Sequence, residues 1–137
     1  DFIIVDMPPG TGDTQLTFAQ EIKMDGVIII STPQEIALQD VRRGIRMFDK
    51  LKVNIIGLID NMSHFIGDDG KKYAIFGEGG VKKTAEEFKK EFLGEIPINP
   101  VVGKQGDLGA PIVESKPEHE ISKLYIQLAK KIKSSYL

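Results

Sequence analysis

A carboxylate followed by a proline- and glycine-rich turn is the first group of residues that could do chemistry. The stretch of residues 1–13 reads DFIIVDMPPGTGD, so an apolar run ends at Asp6 and two prolines and two glycines follow. If residues 2–6 form a buried strand, Asp6 lies at the carboxyl end of a sheet, where open α/β folds bind ligands. Glycines at that point let backbone N–H groups approach an anion closely. The stretch therefore predicts a phosphate and magnesium site, and an ordinary turn is the alternative interpretation.

Other polar residues have simpler structural interpretations. Asp13 precedes a helical run, so we expect it to cap that helix. Asp68 and Asp69 lie in a Gly-Asp-Asp-Gly stretch and are expected to form a turn. His64 and His119 are far apart in the sequence and lack metal-ligand spacing, so we interpret both as structural or solvent-facing residues.

Composition narrows the class of protein. The chain has 137 residues, a formal net charge of -2 and no cysteine. Acidic and basic residues are interleaved, which argues against a nucleic-acid or anionic-membrane surface. Without cysteine, these residues supply neither disulfides nor thiolate metal ligands. No stretch approaches the ~20 apolar residues of a membrane span, so we expect a cytoplasmic protein with no membrane partner.

Alternating apolar runs and amphipathic segments predict the elements that position these residues. Near-continuous β-branched runs predict buried parallel strands, and apolar residues at helical spacing predict helices between them. The alternation indicates a parallel α/β sheet, and Gly-Asp-Asp-Gly between apolar flanks predicts a small β-hairpin. The predicted strands are residues 2–6, 26–32, 53–60 and 93–97, and the predicted helices are 14–23, 34–51, 80–92 and 118–135.

Five stretches of the sequence together resemble one protein family. They are DFIIVDMPPGTGD, STPQEIALQDVRRGIRMF, GLIDNMSHF, YAIFGEGG and GEIPINPVV with GDLGAPIV. In this order they resemble the C-terminal half of the Mrp/ApbC family of P-loop ATPases, relatives of MinD and the nitrogenase iron protein. The resemblance implies a MinD-like, parallel-sheet α/β P-loop NTPase fold that lacks its N-terminal P-loop part and has a small β-hairpin insertion. Residues 1–137 are then the C-terminal portion of a single nucleotide-binding domain, without a second domain.

The resemblance also implies a nucleotide site. Asp6 matches the carboxylate that organises magnesium and its waters, and Gly10 matches the glycine that senses the γ-phosphate. Asn61 matches the asparagine that recognises adenine, and its amide offers one acceptor and two donors to a base edge. Pro97 and Ile98 match the loop that packs along the adenine. We therefore expect ATP and water-mediated Mg²⁺ as cofactors, and we assign no catalytic side chain.

Two departures from the family pattern limit these expectations. The P-loop with its G-K-[ST] sequence is not among these residues, so we expect them to bind ATP poorly and to hydrolyse it negligibly by themselves. The family's F-x-C-x-x-C sequence is FIGDDG here, with Gly67 and Gly70 at the places of the two cysteines. Glycine has no side chain to ligate iron, so an iron-sulfur cluster is not expected at this hairpin.

Three functions are compatible with the resemblance. The leading one is an ATP-binding Mrp-type protein, an ATP hydrolase at full length, that acts in iron-sulfur cluster assembly or transfer. Such a protein would form a homodimer and would have iron-sulfur apoproteins or assembly factors as partners. The alternatives are a MinD-like or ParA-like positioning ATPase and a non-catalytic dimerisation module.

Overall fold

The fold is an alternation of helices and strands, seen in a computed structural model that describes residues 2–8 and 12–134. The long helices α2 and α6 and the strands around the central β2 coincide with predicted elements to within a few residues at most of their ends. The helices are α1 (Asp13–Glu21), α2 (Glu35–Lys50), α3 (Gly80–Glu87), α4 (Pro100–Asp107), α5 (Ile112–Ser115) and α6 (Glu120–Ser134), and the strands are β1 (Val27–Ser31), β2 (Ile55–Ile66), β3 (Lys72–Tyr73) and β4 (Phe92–Ile98).

β2 is the central strand of a mixed four-stranded sheet. β1 and β4 each pair with it in parallel, and Leu58 has a partner in both of them, so they lie on opposite edges of β2. β3 pairs with the last two residues of β2 in antiparallel orientation. The predicted α/β fold, three of its four parallel strands (residues 26–32, 53–60 and 93–97) and its small hairpin are therefore confirmed.

Both faces of the sheet are covered by helices. Leu58 and its neighbour Ile59 point to opposite faces and belong to two separate apolar clusters. This two-sided burial explains why residues 55–59 at the start of β2 are all apolar or glycine and do not alternate with polar residues. The cluster under α2 and α3 contains Leu38, Val41, Ile45, Ile55, Leu58, Val81 and Ala85, and the cluster under α6 contains Ile59, Leu93, Ile96 and Leu128.

The prediction of a buried strand at residues 2–6 is wrong. Residues 2–8 have no regular secondary structure, and Ile3 and Ile4 are 92% and 83% exposed. No strand among the described residues pairs with this segment, so its backbone gains no ladder hydrogen bonds and its apolar side chains are not covered. Asp6 consequently does not end a strand, and its side chain is exposed.

Several helix boundaries also differ from the predictions. Asp13 does not cap α1, because Gly12 occupies the N-cap and Asp13 is the first helical residue. A carboxylate there still interacts favourably with the positive end of the helix dipole. α4 and α5 were not predicted, since α4 contains one proline and two glycines and α5 is only four residues long. Asn99 starts α4 by accepting a hydrogen bond from the N–H of Val101 at 2.9 Å.

Candidate nucleotide site

Three of the predicted site residues lie in the second halves of β2 and β4. Asn61 of β2 is paired with Ile96 of β4, directly before Pro97, and Ile98 is paired with Phe65. The two strands are parallel, so their carboxyl ends meet at one edge of the sheet. Asn61 is thus across from the residue before Pro97, whereas Ile98 lies opposite Phe65, four residues after Asn61 along β2.

An irregularity in β2 lies opposite Pro97. Between the pairs Asn61–Ile96 and Phe65–Ile98, β2 has three residues where β4 has only Pro97. Proline has no N–H to donate to a ladder, and the extra residues of β2 bend the strand past it. The backbone of Met62, within this bulge, has a left-handed φ of 56°. The sequence predicts that the strand ends at residue 60. In the structure β2 instead continues to Ile66, and a bulge directly follows Asn61.

Buried polar contacts hold the bulge in place. Ser63 is buried, and its hydroxyl donates to the carbonyl oxygen of Ile96 at 3.4 Å. The same Oγ lies 3.0 Å from Nδ1 of His64, and that nitrogen lies 3.8 Å from Oε2 of Glu95. These contacts tie the bulge to Glu95 and Ile96 of β4, so the segment next to Asn61 is held in place from the neighbouring strand.

A cavity of about 320 Å³ opens beside these residues. This volume lies within the range of about 300 to 1,000 Å³ that small-molecule pockets span. Pro97 and Ile98 line it, whereas Asn61 lies outside its lining, four residues before Phe65 along β2. Its walls combine apolar surface with a few polar groups from the hairpin, α4 and α6, and are formed by Phe65, Ile66, Asp68, Pro97, Ile98, Asn99, Pro100 and Glu120.

Asp60 is a buried carboxylate to which the sequence analysis gave no role. Its side chain is 1% exposed, and its Oδ1 has no hydrogen-bond partner. In the sheet it is flanked by Ser31 of β1 and Glu95 of β4. Burial, and secondarily the charge of Glu95, raises the pKa of Asp60 to about 6. An aspartate directly after residues 55–59, which are all apolar or glycine, was the sequence signal that could have revealed it.

The phosphate end of the predicted site is less defined than the base end. Asp6 is exposed in the irregular segment 2–8, and Gly10 lies outside the described residues. The part of the chain that the structure describes has no group of three or more His, Cys, Asp or Glu arranged to hold a metal. A single accessible carboxylate is nevertheless a donor that suits Mg²⁺, which keeps several waters and takes one or two carboxylates beside phosphate oxygens.

Comparison with known families identifies the group to which the sequence is related. A family model described as the ParA-type NUBPL iron-transfer P-loop NTPase matches residues 1–133. The chain belongs to this NUBPL iron-transfer P-loop NTPase family. The P-loop NTPase fold expected from the sequence motifs is thereby confirmed, and the Mrp-type resemblance agrees with the names of the curated relatives.

Three curated relatives illustrate the similarity. An "Iron-sulfur cluster carrier protein" from Aquifex aeolicus is 43% identical over 95% of this chain and 36% of its own length. A protein of the same name from Escherichia coli K12 is 44% identical over 96% of the chain and 36% of its own length. An "Iron-sulfur protein required for NADH dehydrogenase, mitochondrial" from Arabidopsis thaliana is 44% identical over 96% of the chain and 42% of its own length. The chain thus spans about two-fifths of the length of these relatives.

Solved structures show the same fold. A nucleotide-binding protein from Archaeoglobus fulgidus, in complex with ADP, superposes with a TM-score of 0.70 at 37% identity and covers 84% of this chain and 46% of that one. The cell division ATPase MinD from Pyrococcus furiosus gives a TM-score of 0.73 at 21% identity and covers 98% of this chain and 52% of that one. At that lower identity the likeness to MinD concerns the fold alone.

The hairpin of this family member does not fit an iron-sulfur cluster. The 137 residues contain no cysteine, and Gly67 and Gly70 stand at the two places where the resemblance implies thiolates. Oxygen and nitrogen groups are close to this turn, but clusters are held by cysteine thiolates, with histidine as an occasional substitute. Separately, none of the helices within residues 2–8 and 12–134 combines the length and apolar character needed to cross a membrane.

Proposed function

We propose that the full-length protein binds ATP with Mg²⁺ and acts in the assembly or transfer of iron-sulfur clusters. Residues 1–137 would be the C-terminal portion of its single nucleotide-binding domain and would supply the base-binding side of the site. Membership of the iron-transfer family supports the role in cluster transfer. The observation that supports the nucleotide proposal is that Pro97 and Ile98 line an open cavity, while Asn61 lies on the neighbouring strand, opposite Ile96.

The base end of the site follows from the chemistry of these residues. Adenine presents a flat apolar face and an edge with one donor and several acceptors. Pro97 and Ile98 line the cavity and would contact the face, while the amide of Asn61 would hydrogen-bond to the edge from the neighbouring strand. Because a bulge held by Ser63 follows Asn61, its backbone is fixed before the ligand arrives.

The phosphate end is assigned to the segment before α1. We assign Asp6 to Mg²⁺ through water, and Gly10 to the contact with the γ-phosphate. Bound Mg²⁺ would neutralise the charge on the phosphates. Isolated residues 1–137 would bind ATP weakly and turn it over negligibly, because they contain no G-K-[ST] sequence to hold the phosphates. Hydrolysis is therefore proposed only for the full-length protein.

The same proposal includes the assembly state and the partners of the protein. We propose a homodimer in the cytoplasm that delivers clusters to iron-sulfur apoproteins or works with assembly factors. The cluster is cargo in this scheme, and its ligands would come from residues outside this chain segment, since the segment has no cysteine. Light scattering of the full-length protein with and without ATP tests the dimer.

Nucleotide titration of the full-length protein tests the base site. Substitution Asn61→Ala should raise the dissociation constant for ATP about tenfold, which is the loss of one or two hydrogen bonds to the base. It should also narrow the preference for ATP over GTP, because the amide reads the base edge. Asn54→Ala is the matched control, since Asn54 is exposed just before β2, and it should bind ATP like the wild type.

Each outcome of this titration decides the proposal. Equal affinities of Asn61→Ala and wild type would contradict the placement of the base. A wild-type protein that binds no nucleotide at all would contradict the proposed function as a whole.

A further inference from the structure

The hairpin between β2 and β3 is a closed turn with its own internal hydrogen bonds. The N–H of Gly67 donates to the carbonyl of Lys71 at 3.0 Å, and the N–H of Gly70 donates to the carbonyl of Gly67 at 2.9 Å. The backbone N–H of each glycine therefore donates to a carbonyl within the turn. We refer to residues 67–71 as the hairpin turn.

The side chains of Asp69 and Tyr73 add further hydrogen bonds across the turn. One carboxylate oxygen of Asp69 accepts from the N–H of Lys71 at 3.0 Å, and the other accepts from the hydroxyl of Tyr73 at 2.9 Å. The N–H of Lys71 and, next, the Tyr73 hydroxyl hold the pKa of Asp69 below its usual range. The carboxylate in turn raises the pKa of Tyr73. The contact therefore persists across neutral pH.

A side chain at residue 67 would crowd this arrangement. A Cβ placed on Gly67 would lie 2.8 Å from Cε2 of Tyr73 and 2.9 Å from Oδ1 of Asp69. Both distances are shorter than atoms in contact tolerate, so the tyrosine ring or the carboxylate would have to move. Both groups are the ends of exposed side chains, and a shift of one without the other lengthens the hydrogen bond between them.

Residue 70 is restricted for a different reason. No atom lies within 4 Å of a Cβ placed on Gly70, so space is available there. Its φ of 74° is, however, in the left-handed region, which residues with a side chain adopt at a cost. The two positions that the resemblance pairs as cluster ligands therefore each disfavour cysteine: residue 67 by crowding, which removal of the ring relieves, and residue 70 by a smaller cost of backbone conformation.

We propose that this hairpin is a non-ligating element whose Asp69–Tyr73 contact has taken the space of a cluster site. Any cluster that the full-length protein carries is ligated outside residues 65–73. Two cysteines at residues 67 and 70 are not sufficient to restore a site, because the tyrosine ring still occupies the space next to residue 67. Removal of that ring is the additional step that restoration needs.

Anaerobic reconstitution of the full-length protein with ferrous iron and sulfide tests the crowding. The readouts are iron and acid-labile sulfide per chain above the wild-type value. Gly67→Cys/Gly70→Cys should gain no more iron than the control Gly103→Cys/Gly106→Cys. The control pair has the same spacing, and nothing lies within 4 Å of either Cβ. Adding Tyr73→Ala to the hairpin pair should raise the gain to at least about twice that of the control.

The reconstitution has outcomes that overturn the proposal. A hairpin pair that binds as much iron with Tyr73 as without it would show that the ring is no obstacle. Absence of any gain in the triple variant would show that the ring is not what prevents ligation. In the parent protein, Asp69→Ala/Tyr73→Ala should leave the iron content unchanged, and a loss would show that the hairpin does hold the cluster.

A second measurement keeps the crowding testable if the cysteine variants fold poorly. Gly67→Ala should lower the melting midpoint of the full-length protein, and should lower it less in a Tyr73→Ala background, where the ring is gone. Equal shifts in both backgrounds would contradict the crowding. Neither measurement involves nucleotide, so wild-type ATP binding can fail while the hairpin proposal stands, and the reverse also holds.

Discussion

Asp60 lies directly across from Glu95 in the parallel pair of β2 and β4, and its own side chain is buried while that of Glu95 is half exposed. The buried carboxyl group has one oxygen without a partner. Two acidic groups side by side, one of them away from water, oppose ionisation of the buried one. Nδ1 of His64 lies 3.8 Å from Oε2 of Glu95, on the exposed side of this pair.

The ionisation of Asp60 should make the stability of the protein depend on pH. Its pKa is about 6 in the folded state against 3.8 for the free group, so the folded state binds more protons between these values. Stability from this group is therefore complete below the unfolded pKa and is lost as the pH rises through the folded pKa. The loss should be about 2 to 3 kcal/mol between about pH 4 and pH 7.5.

Urea denaturation of wild type and Asp60→Asn at several pH values measures this dependence. Asparagine keeps the shape without the charge, so the stability of the variant relative to wild type should improve by about 2 to 3 kcal/mol from pH 4 to pH 7.5. Asp107 is an exposed aspartate at the end of α4, and Asp107→Asn serves as the control. Its stability relative to wild type should stay the same between about pH 4 and pH 7.5. A constant difference between Asp60→Asn and wild type across pH would contradict the prediction.

The central part of the fold could be predicted from the sequence, because its elements are decided by local pattern. β1, β4, α2 and α6 have apolar residues at the period of their element, and each packs on β2 or its neighbours. The segment 2–6 has an equally strong strand pattern, yet a strand also needs a neighbour to pair with. The pattern alone does not say whether that neighbour is present.

The site could be predicted only as far as its residues match family motifs. Asn61, Pro97 and Ile98 do come together, but their roles stay predictions. The continuation of β2 past Asp60 was missed, because it depends on the bulge opposite Pro97 and on the pairing with β3. The burial of Asp60 was missed too, since no local pattern shows which strand residue lacks a hydrogen-bond partner.

The early end of α3 leads to a prediction about helix termination. The sequence predicts a helix to residue 92, but α3 ends at Glu87, and Lys89 has a left-handed φ of 53°. The N–H of Lys89 donates to the carbonyl of Glu86 and that of Lys90 to the carbonyl of Ala85, the pattern of a Schellman motif. Glycine usually occupies this position. Because lysine is found here instead, the sequence contains no signal for the end of the helix.

Lys89→Gly should therefore stabilise the protein by about 0.5 to 1 kcal/mol, because glycine adopts the left-handed conformation without strain. Lys83→Gly, at an exposed position inside α3, is the matched control and should cost about 1 kcal/mol. Thermal or urea denaturation of the two variants measures both effects. Destabilisation by both would show that the left-handed residue is not strained.

Asp6 is the residue with which the proposed magnesium site can be tested. In the full-length protein, Asp6→Asn should reduce ATP hydrolysis at least about tenfold and raise the Mg²⁺ concentration for half-maximal rate, since an amide binds the hydrated ion less well than a carboxylate. Asp13→Asn, at the start of α1, controls for the loss of a nearby charge. If both variants hydrolyse ATP with the magnesium dependence of wild type, Asp6 has no role at the ion.

Two glycines with opposite surroundings give a final prediction about packing. A Cβ on Gly57 of β2 would lie 2.7 Å from the backbone oxygen of Glu91 and 2.7 Å from Cγ of Leu93, so β2 and the chain entering β4 are close only because residue 57 has no side chain. Gly57→Ala should destabilise the protein by about 1 to 3 kcal/mol, since backbone has to shift to admit the methyl group. Gly103 lies inside α4 with nothing within 4 Å of its Cβ, so Gly103→Ala should add about 0.5 to 1 kcal/mol through better helix propensity. The same substitution thus has opposite signs at the two positions, and a Gly57→Ala variant as stable as wild type would mean that β4 can move away from β2 without loss.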